Sequence, residues 1–171
     1  MKHGLAILLT LSLLGGCASA PRSTGTAQPS WNGRLAVVID STPKQSHQAT
    51  FALYGDAKAG ELNLLSPFGA TVAQARWQQS SATLTQGRDQ QVFANLADLS
   101  DSLLDAALPI EALFDWLNGK PTVAAGWRAD LCQLNQGRLL AQRTQPAPAA
   151  RLTLIFDAVP SRQAPPCEPL N

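Results

Sequence analysis

The chain has little charge and almost no excess of either sign, with 13 Lys and Arg against 12 Asp and Glu and a formal net charge of +1. Its basic residues are spread singly along the sequence, so no basic stripe of the kind nucleic acid requires can be read from it, and no nucleic acid partner is expected. Histidine is scarcer still. Past the N-terminal segment there is only His47, beside Ser46 in a stretch that reads as a polar turn, and no G-x-S-x-G, H-E-x-x-H or paired C-x-x-C occurs. The chain is therefore not read as an enzyme. Asp98, Asp101 and Asp105 fall at spacings that place them on the wet face of a helix, and no calcium-loop pattern accompanies them, so neither metal nor cofactor is expected. Also missing is an apolar run long enough to cross a bilayer, since Gly4 to Leu14 covers 11 residues where a span needs about 20. No internal repeat marks a solenoid or propeller.

What is present begins at the N-terminus. Lys2 and His3 precede the short apolar run, and Leu14-Gly15-Gly16-Cys17 closes it, so residues 1–16 read as a removable signal peptide. The order Leu-Gly-Gly-Cys resembles the bacterial lipobox, in which the Cys17 thiol is diacylated, the chain is cut before it, and the new amine is acylated. The alternative is ordinary cleavage after Ala18-Ser19-Ala20. Acyl chains gain about 0.8 kcal/mol per buried CH₂, so three of them form an anchor that hardly leaves the bilayer. Ala18 following the cysteine is not the Asp that resembles an inner-membrane retention signal, which points to a Gram-negative outer membrane with the domain facing the periplasm. Residues 17–30, rich in Pro, Ser, Thr, Gly and Ala, read as a lipidated N-terminus and flexible tether.

The remaining stretch, residues 31–158, suffices for one domain with a real core. Apolar residues alternate at Leu35, Val37 and Ile39, at Ala49, Phe51 and Leu53, at Leu62 and Leu64, and at Leu152, Leu154 and Phe156. Weaker strands fit Thr71–Gln78, Ser81–Gln86, Gln90–Ala94, Trp127–Leu134 and Arg138–Arg143. Consecutive hairpins at this spacing predict a mainly β domain, an antiparallel sheet curling toward a barrel or half-barrel. In the middle the period changes. Leu96, Leu99, Leu103 and Ala107 predict one short amphipathic helix, and Ile110, Leu113, Phe114 and Leu117 a second, with Pro109 in its first turn and Gly119 and Pro121 as its stop. Two such helices bury their apolar faces against the concave side of the sheet as a lid or plug.

These elements carry a family resemblance. Ser66-Pro67-Phe68-Gly69 at the end of the segment from Gly60, Leu108-Pro109, Trp116-Leu117-Asn118-Gly119-Lys120-Pro121, and Trp31 with Gly33-Arg34-Leu35 together resemble the LolB family of outer-membrane lipoprotein receptors. The resemblance implies an unclosed antiparallel β-barrel with helices in its mouth. It also implies an apolar cavity that accepts the acyl chains of triacylated lipoproteins from a LolA-like periplasmic carrier, and delivery of that cargo by a monomer into outer-membrane lipid. The cavity is then expected to be lined by Leu35, Val37, Phe51, Leu53, Leu62 and Leu64 from strands and by Leu113, Phe114, Trp116 and Leu117 from the lid. Composition alone equally fits a solid core. On the loop Ser66–Gly69 the family carries a bulky aliphatic residue implicated in handing cargo to the bilayer, and Phe68 takes that position. Without the resemblance, a Phe beside a Pro-Gly turn folds back onto the core. The competing function is a non-catalytic envelope lipoprotein that serves as a structural or assembly partner.

Two cysteines remain if Cys17 carries lipid. A Cys132–Cys167 disulfide suits an oxidising compartment, and the alternative is a buried thiol at Cys132 with an exposed one at Cys167. Residues 159–171 form a Pro-rich tail that matches no regular element.

Overall fold

A computed structural model describes residues 30–103 and 108–157. The signal segment, Cys17, all of the tether except Ser30, Asp105, Ala107, Cys167 and the tail lie outside them. Nine strands form one sheet: β1 (Trp31–Ile39), β2 (Gln45–Gly55), β3 (Gly60–Leu65), β4 (Thr71–Gln78), β5 (Ser81–Gln86), β6 (Asp89–Phe93), β7 (Trp127–Asp130), β8 (Arg138–Arg143) and β9 (Ala150–Phe156). Their order is β6-β5-β4-β3-β2-β1-β9-β8-β7, every neighbouring pair is antiparallel, and β6 and β7 do not pair with each other. The sheet is thus an unclosed half-barrel, as the alternation and the resemblance predicted. Its two short helices, α1 (Leu96–Ser102) and α2 (Ile110–Leu117), fall in the connection between the two edge strands.

The alternation places one set of side chains inside. Leu35, Val37 and Ile39 on β1, Phe51 and Leu53 on β2, and Leu152 and Leu154 on β9 join one cluster with the buried faces of both helices. Each such side chain contributes about 1.5–3 kcal/mol when fully buried. α1 packs against β4, β5 and β6, where the inward residues include the small Ala73, Ala75 and Ala82, so the helix can approach the sheet closely. At Gly33 a Cβ would stand 2.1 Å from the Ile155 carbonyl oxygen, so the close pairing of β1 and β9 there requires glycine.

Four local expectations are corrected. The helix expected to run through Leu103 toward Ala107 ends at Ser102: Leu103 is extended, its N–H bonds to the Ser100 carbonyl, and the Ser102 hydroxyl donates to the Leu99 carbonyl at 2.7 Å. The strand expected over Trp127–Leu134 stops at Asp130, whose carboxylate accepts the Cys132 N–H at 2.8 Å, and Leu134–Gln136 form a 3₁₀ turn closed by left-handed Gly137. Leu131 and Leu134 are both buried although they are three residues apart, a spacing that a strand cannot place on one face. The strand expected at Gln90–Ala94 runs Asp89–Phe93. His47 is not in a turn but in β2, paired with Val37, because the β1–β2 ladder extends to Ile39 and Gln45.

Asn95 caps α1. Its side-chain oxygen accepts the Asp98 N–H at 2.9 Å, and its amide donates to the Asp98 carboxylate at 3.1 Å. Asn95→Ala is expected to lower stability by about 0.5–2 kcal/mol in urea titration, with an unchanged slope. Pro109 precedes α2 as its cap rather than sitting in its first turn. At the other end, left-handed Gly119 donates to the Trp116 carbonyl and Lys120 to the Asp115 carbonyl, the double bond pattern that ends a helix with glycine. Trp116 Nε1 donates to the Thr122 carbonyl at 2.7 Å, and the Thr122 hydroxyl to Asp115 at 2.8 Å. The segment Trp116–Pro121 is therefore a helix stop that folds the chain back under its own tryptophan.

Candidate functional site

Two features of the fold are candidates: the apolar interior beneath the helices and the β3–β4 hairpin. Nine of the ten side chains expected to line a cavity, namely Leu35, Val37, Phe51, Leu53, Leu62, Leu113, Phe114, Trp116 and Leu117, are buried in one cluster, and half-buried Leu64 packs against it. Val37, Leu53, Trp116 and Leu117 have no exposed surface, so no water-sized space adjoins them. The interior is closed. Sequence reasoning missed the two strand tryptophans at its centre. Phe114 of α2 stands edge-on to Trp31 at 5.8 Å and to Trp77 at 5.9 Å between ring centroids, bridging the helix to both ends of the β1–β4 meander. Trp77 in turn lies against Gly60, where a Cβ would be 2.5 Å from the indole, and its Nε1 donates to the Asp56 carbonyl. Alternation from Ala73 and Ala75 to Trp77 was the signal available for it.

The seam between the helices carries a shallow surface concavity of about 140 Å³, lined by Ala97, Ser100, Pro109, Ala112, Ala124 and Ala125 among others. Ser100 is buried, and its hydroxyl has no hydrogen-bond partner among the described residues. A buried hydroxyl left so typically costs about 1–3 kcal/mol. A larger concavity of about 680 Å³ lies on the opposite, polar face beside the Glu61–Arg76 ion pair and offers little to an acyl chain.

The hairpin resolves the question of Phe68. Ser66 accepts the Gly69 N–H at 2.9 Å through its carbonyl and the Ala70 N–H at 3.2 Å through its hydroxyl, while its own N–H bonds to the Ala70 carbonyl. Pro67 and Phe68 occupy the two central positions of this turn. Phe68 is 97% exposed, so its ring does not fold back onto the core. From Leu62 to Ala75 the chain carries no charge, and Val72 beside the turn is also exposed. Gly69 has φ of 81° with open space around a would-be Cβ, so glycine is required by backbone conformation alone. Gly69→Val is expected to cost about 1–2 kcal/mol in thermal unfolding.

Cys132 is disulfide-bonded, and the other two cysteines lie outside the described residues. No group of three His, Cys, Asp or Glu among the described residues could hold a metal ion.

A half-barrel closed by a two-helix lid over an apolar interior, with an uncharged aromatic hairpin projecting from its rim, defines a class of β proteins suited to handling lipid. The family described as Outer membrane lipoprotein LolB matches residues 28–160, and the chain belongs to the LolB family. The outer-membrane lipoprotein LolB of Bordetella petrii is 30% identical over 163 residues, covering 79% of this chain and 82% of the relative. That of Bordetella pertussis is 29% identical over 124 residues, covering 69% and 62%, and that of Neisseria meningitidis 29% over 137 residues, covering 75% and 69%. The chain thus spans less than two thirds of the Bordetella pertussis relative.

Proposed function

We propose that this chain is an outer-membrane-anchored receptor that accepts triacylated lipoproteins from a periplasmic carrier and inserts them into the outer membrane. The observation that carries the reading is the joining of a lid-covered apolar interior to a fully exposed Phe68 in one small domain. Acyl chains present no charge and no directional group, so their receptor needs apolar surface shielded from water. That surface exists here but is occupied by the lid. Cargo chains must therefore displace α1 and α2, exchanging lid contacts for acyl contacts, and the seam at Ser100, whose buried hydroxyl has no partner among the described residues, is where the parting begins. Such an exchange needs no nucleotide. Transfer runs downhill if each successive site binds more tightly, about 1.4 kcal/mol for each tenfold step.

In this reading residues 1–16 are removed, Cys17 carries the lipid, and residues 17–30 tether the domain. Fully extended, those 14 residues reach roughly 45–50 Å, enough for the hairpin and the lipid to engage one bilayer. With the Cys17 sulfur in a thioether, Cys167 is the partner we assign to Cys132. The bond closes a loop over the Pro-rich tail and stabilises by about 2–4 kcal/mol. Peptide mass spectrometry without reduction is expected to find 132 and 167 linked, and two free thiols would exclude the pairing.

All four tryptophans, Trp31, Trp77, Trp116 and Trp127, belong to the buried cluster and report directly on the interior. Titrating residues 18–171 with a synthetic triacylated lipopeptide is expected to shift tryptophan emission saturably, while the same peptide without acyl chains leaves it unchanged. No saturable shift would favour the assembly-partner reading.

A further inference from the structure

The arginines that stand singly in the sequence are gathered by strand register onto one surface. On the outer face of the β1-β9-β8-β7 half of the sheet, one cross-strand row runs Arg34, Ile155, Arg138, and another runs Val38, Arg151, Gln142, Arg128. Strands two apart are separated by about 10 Å, and the rows, four residues apart along β9, by about 13 Å. All four arginines are exposed. None has an ion-pair partner among the described residues. The one acid among the outward residues of these four strands is Asp130. The helical side has the opposite sign: Asp98, Asp101 and Glu111 are exposed there, and Asp115 is matched by Lys120. The unpaired charges on this half of the sheet are thus mainly basic and those on the helices acidic.

Position along the strands adds a second observation. β9 starts at Ala150 and β7 at Trp127, so the Arg151–Arg128 row lies at the end of the sheet where the β1–β2, β3–β4 and β8–β9 connections lie. That is the end from which Phe68 projects. Beside Arg151 the outer face forms a cleft of about 670 Å³, lined also by Asp40, Lys44, Ser46, Gln142 and Thr144; Asp40 pairs with Lys44 at 3.0 Å, which leaves the Arg151 guanidinium as the cleft's exposed charge without an ion-pair partner among the described residues, beside hydroxyls that suit a phosphodiester.

We propose that this arginine face is a docking surface for anionic phospholipid, which seats the sheet side of the domain on the bilayer with Phe68 inserted and the acidic lid turned away. The proposal rests on the reading that the domain works at a membrane. Tethering favours lipid over a soluble acidic protein as occupant, because a chain held within tens of ångströms of the bilayer meets headgroups continually, so that a few exposed arginines suffice. The face also explains how a lid that must open is kept clear of the membrane: the like charges of lid and headgroups repel.

The test measures partitioning of residues 18–171, which contain the whole sheet and its core, onto phosphatidylcholine vesicles with and without phosphatidylglycerol. Phosphatidylglycerol is expected to raise partitioning about tenfold or more, and high salt to erase the gain. The double variant Arg128→Glu/Arg151→Glu should lose that gain, whereas Phe68→Ala should weaken binding to both vesicle types by a similar factor. Equal partitioning onto both vesicles, or a double variant that keeps the gain, overturns the proposal. So does a double variant that binds vesicles normally but no longer takes cargo from a carrier, because the face would then dock an acidic protein. Phosphatidylglycerol-dependent binding by a domain that never takes acyl cargo would sustain this inference and refute the receptor reading.

Discussion

Phe68→Glu is expected to fold normally, accept cargo normally and fail at delivery. The ring is 97% exposed and contacts no core residue, so its replacement should leave stability within about 0.5 kcal/mol of the parent. Phe68 is not part of the interior cluster, so cargo acceptance should be unaffected. What changes is the hairpin's transfer into lipid. A buried Phe gains about 1.5–3 kcal/mol, and a carboxylate in the same place is strongly penalised, so delivery into liposomes should slow at least tenfold. Phe68→Leu restores a large apolar side chain and should deliver nearly as well as the parent. Measuring melting temperature, cargo uptake and liposome delivery on the three proteins separates these steps, and full delivery by the Glu variant would remove the hairpin from the mechanism.

Phe114→Ala is expected to weaken the fold while strengthening acyl binding. The ring is buried between Trp31 and Trp77 and is the main aromatic contact of α2 with the strands. Its removal should cost about 3–5 kcal/mol in stability. The same change leaves an apolar void beneath the lid, and an apolar void of that kind stays dry and takes apolar ligands. Because the parent must first displace its own lid, its apparent affinity is reduced by the scarcity of the open state. The variant escapes part of that penalty. Calorimetry should therefore show a lower melting temperature, and lipopeptide titration a lower Kd. A variant with weaker binding as well as weaker folding would mean that Phe114 contacts cargo and does not compete with it.

The sheet was legible because strand alternation is strict where one face is buried: β4, β5 and β8 fall where the pattern placed them. The errors lie where side chains override periodicity. Asp130 bonds to the backbone two residues on and ends β7, and the Ser102 hydroxyl bonds back to the Leu99 carbonyl where α1 ends. The alternation marks which residues face inward, but not how they pack, since a cavity wall and a solid core share one composition. Phe68 was named for its family position, while its exposure depends on the turn geometry set by Ser66 and Gly69. The arginine face was illegible for another reason. Its members lie as much as 117 positions apart, from 34 to 151, and only the β1-β9-β8-β7 register aligns them.

The most direct test follows a labelled triacylated lipoprotein loaded on a periplasmic carrier after mixing with residues 18–171 and liposomes. The receptor account predicts that label leaves the carrier, appears on this domain with a shift in tryptophan emission, and then enters the liposomes. Label that stays on the carrier with the domain in excess would contradict it.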